Sequence, residues 1–480
     1  MPSYLLTSLI LLAGLTFLGA ALLADTSLFA FLAFLTGWVA LGTVFLAYRK
    51  SRDSFHPSIY LGLMLFFLYS YLPLYLFYTD AAGLGSFLSA KQLQYVQGLN
   101  LLGVISLCAG ALSGDHNVKF RQSPHPGWMI PPTLHKRINR AAIFLGLIGV
   151  SGFLYGLANV GGLSVAYGRG YGGGAAVSGY LREAFLLTLP ALLWLMATHV
   201  FRKLSSLDWA WIFLFASPLL VHGLLGARRG PTFMITVALI ISWYLIRFRR
   251  PALRTVIVGG ICLGFLLLFL VTNRSEIYLG SELRLQSPPT GYLQAHSGNE
   301  YIYGAGTILN ADIKGEYFWG KRYFTIFFIR PIPRALWPSK YADASRLLGI
   351  PNLAEGNLGT GGVELAQTLG WPGAVGAAPG IVADMWLEFC WFAFPVLFAI
   401  GWLYGMAWRK AVSRGGLWIP IYTLMTALSI YLVMQTLEAM AFRFLLTAAA
   451  VWLIWRYGVA GQPKQAKAYL STFDNHSLHH

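Results

Sequence analysis

The stretch DWAWIFLFASPLLVHGLLGARRGPTFMITVALIISWYLI, residues 208–246, decides the fold class of this chain. It holds two long apolar runs that are separated only by Gly-Ala-Arg-Arg-Gly-Pro at 226–231. Apolar runs of about 20 residues are long enough to cross a bilayer as helices, and such runs recur along the whole chain. A membrane β-barrel would instead show alternating segments of about ten residues. The pattern therefore predicts an all-α polytopic membrane protein.

The composition of the 480-residue chain agrees with this class. Hydrophobic residues make up 56% and charged residues only 11%, whereas a soluble protein carries about 25% charged residues. In a soluble protein, the net charge of +17 would suggest nucleic acid as a partner. Membrane proteins, however, concentrate Lys and Arg in their cytoplasmic loops. We therefore expect a lipid bilayer, and no nucleic acid, as a partner.

Hydropathy predicts twelve membrane-spanning helices. The N-terminal run is one of them, because it lacks the basic start of a signal peptide and exceeds the usual length of its apolar part. The predicted spans are 3–23, 27–48, 58–78, 93–113, 141–160, 183–200, 208–226, 232–246, 255–272, 387–408, 417–437 and 440–456. Three regions follow: nine spans over 1–272, one large loop over 273–386, and three spans with a cytoplasmic tail over 387–480.

The distribution of basic residues predicts the orientation of the spans. The loops and the tail on one side hold 20 Lys and Arg, and the short loops on the other side hold 6. Since short cytoplasmic loops are enriched in Lys and Arg, both termini are expected in the cytoplasm. Long loops cross the membrane largely regardless of their charge, so the loop at 273–386 does not influence this count and is expected outside.

Two further patterns disfavour classes of site and function. Cys108, Cys262 and Cys390 are isolated in apolar runs, so neither a zinc site nor a disulfide framework is expected. Transporters usually carry ionisable residues midway through their helices, whereas most charged residues of these spans lie at or near span ends. This placement favours chemistry or binding at the outer surface over ion-coupled transport.

Arg228 and Arg229 lie at the outer end of a predicted span, where the orientation rule disfavours basic residues. Two interpretations remain open. The side chains reach up to lipid headgroups, or they form an anion site, for which the planar guanidinium is suited. His222, one to two turns earlier, is the most interior ionisable residue. It is interpreted either as a structural hydrogen-bonding group or as a catalyst.

The loop at 273–386 is neutral overall, with 9 basic and 9 acidic residues, but basic and aromatic residues alternate between 314 and 340. The apolar segment 323–329 is too short to span a bilayer, so it is expected to lie against the outer leaflet. The prolines of RPIPR stiffen the chain and hold Arg330 and Arg334 at a bend. Both an ordinary loop with aromatic anchors and a site for a sugar phosphate fit this pattern.

Two glycine-rich stretches lie in predicted outer loops. Residues 350–380 are expected to be irregular or short-helical, and such a segment could act as a lid over a substrate in the membrane. Residues 166–180 do not follow a strand in a βαβ unit, so a dinucleotide site is rejected and a flexible connector is expected.

Three motifs resemble the O-antigen polymerase (Wzy-type) family of oligosaccharide repeat-unit polymerases. They are the bend RPIPRALWPSK at 330–340, the Gly-Ala-Arg-Arg-Gly turn at 226–230, and GIVADMWLEFCWFAFPVLFAIGWLYG at 380–405. The many-helix layout with one large periplasmic loop is similar too. The resemblance implies a GT-C-like membrane glycosyltransferase at the periplasmic face of the bacterial inner membrane.

The resemblance also implies the substrates and partners. Such enzymes transfer a growing glycan from undecaprenyl pyrophosphate to a new lipid-linked repeat unit. They need neither a nucleotide sugar nor a metal, so no cofactor is expected. The partners implied are the undecaprenyl-pyrophosphate-linked oligosaccharide donor and acceptor, and a co-polymerase that regulates chain length.

This reaction assigns roles to individual residues. Cationic groups would stabilise the charge that grows on the lipid pyrophosphate. The candidates for this role are Arg228, Arg229, Arg330, Arg334 and Lys340. A base must take the proton of the acceptor hydroxyl, and direct displacement predicts inversion at the anomeric carbon. The candidate catalytic residues are Asp384, Glu364 and His222.

Three other functions remain open. An O-antigen ligase shares the donor but transfers the glycan to lipid A core, which gives one addition instead of a ladder of products. A lipid-linked oligosaccharide transporter would need a hydrophilic central path, which the charge-poor spans disfavour. A membrane scaffold whose outer loop binds polysaccharide would not depend on the arginines for activity.

Overall fold

The computed structural model is built from α-helices. It describes residues 27–79, 88–115, 118, 132–170, 172–173, 183–200, 202–281, 300–350 and 378–460. The main helices are α1 (Leu28–Ser51), α2 (Pro57–Thr79), α3 (Ala90–Ser113), α4 (Pro132–Val160), α5 (Ala184–Ala197), α6 (Ser206–Leu224), α7 (Arg229–Ile246), α8 (Leu253–Thr272), α9 (Glu300–Lys314), α10 (321–329), α11 (Lys340–Leu348), α12 (Gly380–Phe389), α13 (Ala393–Arg414), α14 (Trp418–Met434) and α15 (Leu437–Ala460). The described residues contain no β-strand, so the predicted all-α class is confirmed.

Eight helices within the described residues are long and apolar enough to cross a membrane, with α12 and α13 counted as one. Three further apolar helices, α5, α7 and α14, are shorter. Together these helices coincide with the predicted spans from 27–48 to 440–456. The predicted span 3–23 lies outside the described residues. A polytopic membrane protein is therefore confirmed, whereas the number of twelve spans and the GT-C-like class stay predictions.

Local sequence sets several helix starts. The Ser89 hydroxyl accepts from the backbone N–H of Gln92 at 3.3 Å, and the Gln92 side chain accepts from the backbone N–H of Ser89 at 2.8 Å. Ser205 and Asp208 form the same reciprocal capping box at the start of α6. Such boxes satisfy N–H groups that a helix leaves unpaired. Pro57 begins α2, where its missing N–H is not needed.

The start of α4 lies earlier than the sequence predicts. The helix begins at Pro132 instead of 141, so it includes basic residues that hydropathy assigns to a loop. Arg137 shows how such a residue is accommodated. Its Nη2 donates to the Tyr457 carbonyl at 3.4 Å, and its guanidinium lies 5.0 Å from the centre of that ring. The start of α4 can therefore carry a charged side chain, because the aliphatic part of Arg137 packs on α15.

Two glycine pairs let α3 and α13 approach closely. Gly110 and Gly114, at the end of α3, face Gly401 and Gly405 of α13. A Cβ atom on Gly110 would lie only 2.0 Å from the carbonyl oxygen of Phe398. Small residues spaced four apart are typical of closely packed helices in membranes. This packing fixes α13, which continues the chain directly from α12.

The helices α12 and α13 form one apolar segment with a break. Gly380 begins α12 with a φ of 74°, a conformation that glycine adopts without strain. Cys390 has φ 49° and ψ −129°, so the chain turns there before α13 begins. The helical segment thus starts before the predicted span 387–408, and α12 crosses the predicted region boundary at 386. Hydropathy misses this start because Asp384 and Glu388 interrupt the apolar run.

The alternating helix directions separate two ends of the helix bundle. At one end, which we call the opposite end, the Arg250 side chain donates to Asp53 at 2.7 Å. Lys50 pairs there with Asp115, also at 2.7 Å. The other end, which we call the arginine end, contains the turn 228–229. Several basic loops that the sequence places on one side of the membrane thus lie together at the opposite end. Which end faces the cytoplasm, and in which membrane, stays a prediction.

Candidate functional site

Asp384 and Glu388 lie one turn apart on one face of α12, and both are fully buried. Arg322 of α10 joins them, since its Nη2 donates to Asp384 Oδ1 and its Nε to Glu388 Oε1. We call these three side chains the buried triad. Burial acts to lower the pKa of the Arg322 guanidinium, but the two carboxylates outweigh this effect and raise the pKa. The single positive charge of Arg322 therefore offsets part of the negative charge of the two carboxylates inside the bundle.

Further donors occupy the carboxylates of the buried triad. The Tyr323 hydroxyl donates to Asp384 Oδ2 at 2.8 Å, and the backbone N–H of Leu437 donates to the same oxygen at 2.9 Å. The backbone N–H of Gly320 donates to Glu388 Oε2 at 2.8 Å. The triad thus ties α10, α12 and the start of α15 together.

The first turn of α15 places another acid beside the buried triad, and the end of α10 places another arginine next to that acid. Glu438 is 6% exposed, and its Oε1 lies 3.4 Å from Nη1 of Arg330. It also interacts electrostatically with Arg322 and Asp384. The Arg330 guanidinium lies 4.2 Å from the centre of the Phe442 ring. Because the Arg330 side chain is 30% exposed, it can meet a ligand from outside the bundle.

Arg443 connects this group to the turn 228–229. Its guanidinium lies 4.3 Å from the centre of the Tyr431 ring, and Tyr431 interacts electrostatically with Arg228 and Arg229 as well. A Cβ atom on Gly230 would lie 2.3 Å from the Tyr431 hydroxyl, so this approach needs a glycine. We call the four arginines beside Glu438 and Tyr431 the arginine rim: Arg228, Arg229, Arg330 and Arg443.

The two adjacent arginines of the turn have different surroundings. Arg228 has an extended backbone, with φ −108° and ψ 113°, just before α7 begins. Its Nη2 donates to the carbonyl of Gly172 at 3.3 Å. Arg229 forms an ion pair with Glu300 at the start of α9. Its side chain remains 22% exposed, so the turn presents cationic groups while both side chains are anchored.

His222 lies near Arg228 but among aromatic side chains. Its Nδ1 is 3.2 Å from the Tyr167 hydroxyl, and its ring centre is 5.2 Å from that of Phe185. Burial raises the pKa of Tyr167 to about 12, an effect that Arg228 partly opposes. Tyr167 is therefore protonated at neutral pH. These contacts fit the structural interpretation of His222, and its catalytic role stays a prediction.

The ammonium group of Lys340 is directed at backbone carbonyls. It donates to Ile329 at 3.3 Å, to Arg330 at 2.8 Å, and to Ile332. An ammonium has three N–H donors, so these contacts account for all of them. Burial, followed by the nearby Arg334 and Arg330, lowers the pKa of Lys340. Lys340 therefore holds the end of α10, and its predicted role in binding a pyrophosphate stays a prediction.

The remaining predicted features lie farther out or outside the described part of the chain. Arg334 is exposed, and its guanidinium lies 5.4 Å from the centre of the Tyr341 ring. The segment 323–329 is helical, with Phe324 and Phe328 exposed on one side. Its expected position against the outer leaflet stays a prediction. Glu364, together with most of the glycine-rich stretch 350–380, lies outside the described residues.

Neither a metal cluster nor a known relative adds to this picture. In the part of the chain that the structure describes, no group of three or more His, Cys, Asp or Glu side chains could hold a metal ion. Comparisons with protein-family models, curated proteins and solved structures find no match for the chain. The site is therefore interpreted from its geometry and from the short sequence motifs.

Sequence reasoning selected several residues of this region but missed Arg322 and Glu438 as functional candidates. One signal was present: Asp384 and Glu388 are four residues apart in an apolar segment. Two acids on one buried helix face require a cation nearby, since uncompensated buried charge is costly. Nothing in the sequence spacing shows which of the basic residues provides that cation, because Arg322 lies 62 residues from Asp384.

Proposed function

We propose that this chain is a membrane glycosyltransferase that polymerises oligosaccharide repeat units carried on undecaprenyl pyrophosphate. The observation that carries the proposal is the arginine rim. Its four arginines come from three separate parts of the sequence and lie around buried carboxylates at one end of a membrane bundle. A cationic rim at a membrane surface suits a lipid-linked pyrophosphate, because the pyrophosphate of such a lipid also lies at the membrane surface.

The chemistry of the transfer explains why several arginines are useful. The hydroxyl oxygen of the acceptor sugar bonds to the anomeric carbon of the donor. The bond from that carbon to the pyrophosphate oxygen breaks, and the electron pair leaves with the lipid pyrophosphate. Arg228, Arg229 and Arg443, grouped around Tyr431, would stabilise this growing negative charge. A single displacement of this kind inverts the configuration at the anomeric carbon.

Exposed aromatic rings next to the buried triad support a substrate that is part sugar and part lipid. Trp319 is 55% exposed, and its backbone N–H donates to the carbonyl of Glu388 at 2.7 Å. The ring of Phe392, 65% exposed, lies 6.3 Å from it in an edge-on arrangement. Aromatic rings with exposed faces pack on the apolar faces of sugars and are enriched at membrane interfaces. These rings therefore provide a surface beside the proposed reaction centre.

The proposal is tested with the purified full-length chain in lipid nanodiscs. The chain receives the host's own repeat unit on undecaprenyl pyrophosphate, without nucleotide sugar. We expect a ladder of products spaced by one repeat unit, with release of undecaprenyl pyrophosphate. A single transfer that requires added lipid A core would replace the polymerase by a ligase. If no transfer occurs to either acceptor, the glycosyltransferase proposal is wrong.

A further inference from the structure

The proposed polymerisation requires a base, and the carboxylates at the arginine end differ in their ability to serve as one. A general base needs an oxygen that can accept the hydroxyl proton of the acceptor. In the buried triad, Arg322 donates to Asp384 and Glu388. The other oxygen of Asp384, Oδ2, accepts from the Tyr323 hydroxyl and from the backbone N–H of Leu437. The other oxygen of Glu388, Oε2, accepts from the backbone N–H of Gly320. These two acids are therefore committed to holding helices together.

Glu438 differs from the triad acids in the state of its second oxygen. Its Oε1 is within 3.4 Å of Arg330 Nη1. Its Oε2 is buried and has no hydrogen-bond partner among the described residues. A buried carboxylate oxygen without a donor costs free energy, so such an exception in a folded protein calls for an explanation. A substrate hydroxyl that donates to this oxygen would provide one.

The surroundings of Glu438 hold its carboxylate in a defined place. It is the second residue of α15, and its neighbour Leu437 donates its backbone N–H to Asp384 at 2.9 Å. The buried triad therefore fixes the backbone of this first turn. Burial disfavours the charged carboxylate, whereas Arg322, Arg330 and the helix N-terminus favour this form, which is the one that accepts a proton. Since Arg330 is 30% exposed, the base lies beside a side chain that is accessible from outside.

We propose that Glu438 is the general base that takes the proton of the acceptor hydroxyl. This assignment rests on the proposed glycosyl transfer. The O–H bond of the acceptor breaks, and its proton moves to Oε2 of Glu438. The hydroxyl oxygen bonds to the anomeric carbon, and the lipid pyrophosphate leaves with the electron pair. Asp384, by contrast, is a positioning residue, because it acts through the backbone of α15.

The test compares Glu438→Gln with a matched control in the full-length chain. Glu316→Gln makes the same chemical change at an exposed position of the segment between α9 and α10. We expect Glu438→Gln to lower kcat by about 10²–10⁴-fold, with KM for the lipid-linked donor within about threefold of the original chain. Glu316→Gln should keep kcat within about twofold. Glu438→Asp keeps the charge and should retain more activity than Glu438→Gln.

Two readouts separate a base from a structural residue. The first is the acidic limb of the pH dependence of kcat, which should disappear in Glu438→Gln. The charged groups that face Glu438 are Arg322, Asp384, Arg330 and Arg443, and all four remain in that variant. The second readout is the binding of undecaprenyl pyrophosphate, which Glu438→Gln should retain because the arginine rim is intact.

Each result has a distinct consequence. If the unsubstituted chain polymerises and Glu438→Gln keeps more than a tenth of kcat with its acidic limb, Glu438 is not the base, while the proposed function stands. If Glu438→Gln also loses pyrophosphate binding or its thermal stability, the residue is structural and the assignment fails. If the unsubstituted chain does not transfer glycan at all, the proposed function and the assignment fail together.

Discussion

The arginine end and the opposite end of the bundle both pair buried acids with basic side chains, but the arginine that pairs with Asp53 at the opposite end is more enclosed than the arginines of the rim. At the opposite end, Asp53 accepts from Arg250 at 2.7 Å and from the Trp408 indole N–H at 3.0 Å. The Arg250 side chain is only 8% exposed there. At the arginine end, Arg229 and Arg330 are 22% and 30% exposed, although each contacts an acid.

This difference separates a structural role from a binding role. Both oxygens of the Asp53 carboxylate accept hydrogen bonds inside the protein, so this group contributes order and offers little to a ligand. Arginines that contact an acid and remain partly exposed can still present N–H groups to an anion. We therefore expect substitutions at the opposite end to change stability, and substitutions in the arginine rim to change activity. The buried triad lies between these cases, since it supports the rim without being exposed.

The largest expected effect is on the buried triad. Arg322→Met removes the cation that compensates Asp384 and Glu388, and breaking such a buried ion pair costs about 3–5 kcal/mol of unfolding free energy. We expect a clear fall in melting temperature in detergent, accompanied by loss of polymer synthesis. Arg322→Lys keeps the charge and should recover part of the stability. An unchanged melting temperature in Arg322→Met would mean that the triad does not hold α10 to α12.

The next largest effect is expected in the arginine rim. Arg228→Ala or Arg443→Ala should each lower kcat by about 10²–10³-fold, by analogy with the loss of one donor to a developing negative charge. The melting temperature should stay close to that of the unsubstituted chain, since these side chains are not fully buried. Arg346→Ala, an exposed arginine of α11, is the matched control. Normal polymer synthesis by both rim variants would contradict the site.

A smaller effect, on stability alone, is expected at the opposite end. Asp53→Asn keeps the shape of the side chain but removes the charge that faces Arg250. The cost should be about 1–3 kcal/mol of unfolding free energy, which is the range for a buried polar group that loses its hydrogen-bond partner. The kcat per folded molecule should remain within about twofold. A large loss of kcat without a loss of stability would show that the two ends are not functionally distinct.

The smallest effect is a pH dependence of stability at the opposite end. Burial lowers the pKa of His56 below its ordinary value of about 6.5, and this exceeds the opposing effects of Asp115 and Asp53, with Lys50 adding to the lowering. The folded chain therefore favours neutral His56. Stability should be full above about pH 6.5 and should fall as the pH drops from there through the folded pKa, because the unfolded chain binds the proton more readily.

This pH dependence can be isolated with one substitution. His56 accepts from the backbone N–H of Ser58 at 3.2 Å, which caps the start of α2. His56→Asn keeps a capping side chain but does not titrate in this range. The melting temperature of His56→Asn should therefore fall less between pH 7 and pH 5 than that of the unsubstituted chain. An identical pH profile in both would assign the effect to other groups.

The sequence alone was sufficient for the features that depend on local residue order. The apolar runs correctly predict a polytopic helical membrane protein, because a bilayer requires about 20 apolar residues per crossing and satisfied backbone groups. The position of Arg228 and Arg229 between two helices follows from the same pattern. Hydropathy misplaces a helix start where the first turns of the helix contain charged residues. The starts of α4 and α12 both lie earlier than hydropathy predicts, for this reason.

Tertiary structure alone decided which charged residues meet and what each of them does. Arg322 and Glu388 are 66 residues apart, so no local pattern pairs them. Arg330 and Lys340 are both basic residues of one predicted loop, and the sequence does not distinguish them. In the structure, Arg330 is partly exposed beside Glu438, whereas Lys340 donates to backbone carbonyls. The physical reason is that helix propensity and hydropathy act over neighbouring residues, whereas the partners of a charge depend on how distant helices pack.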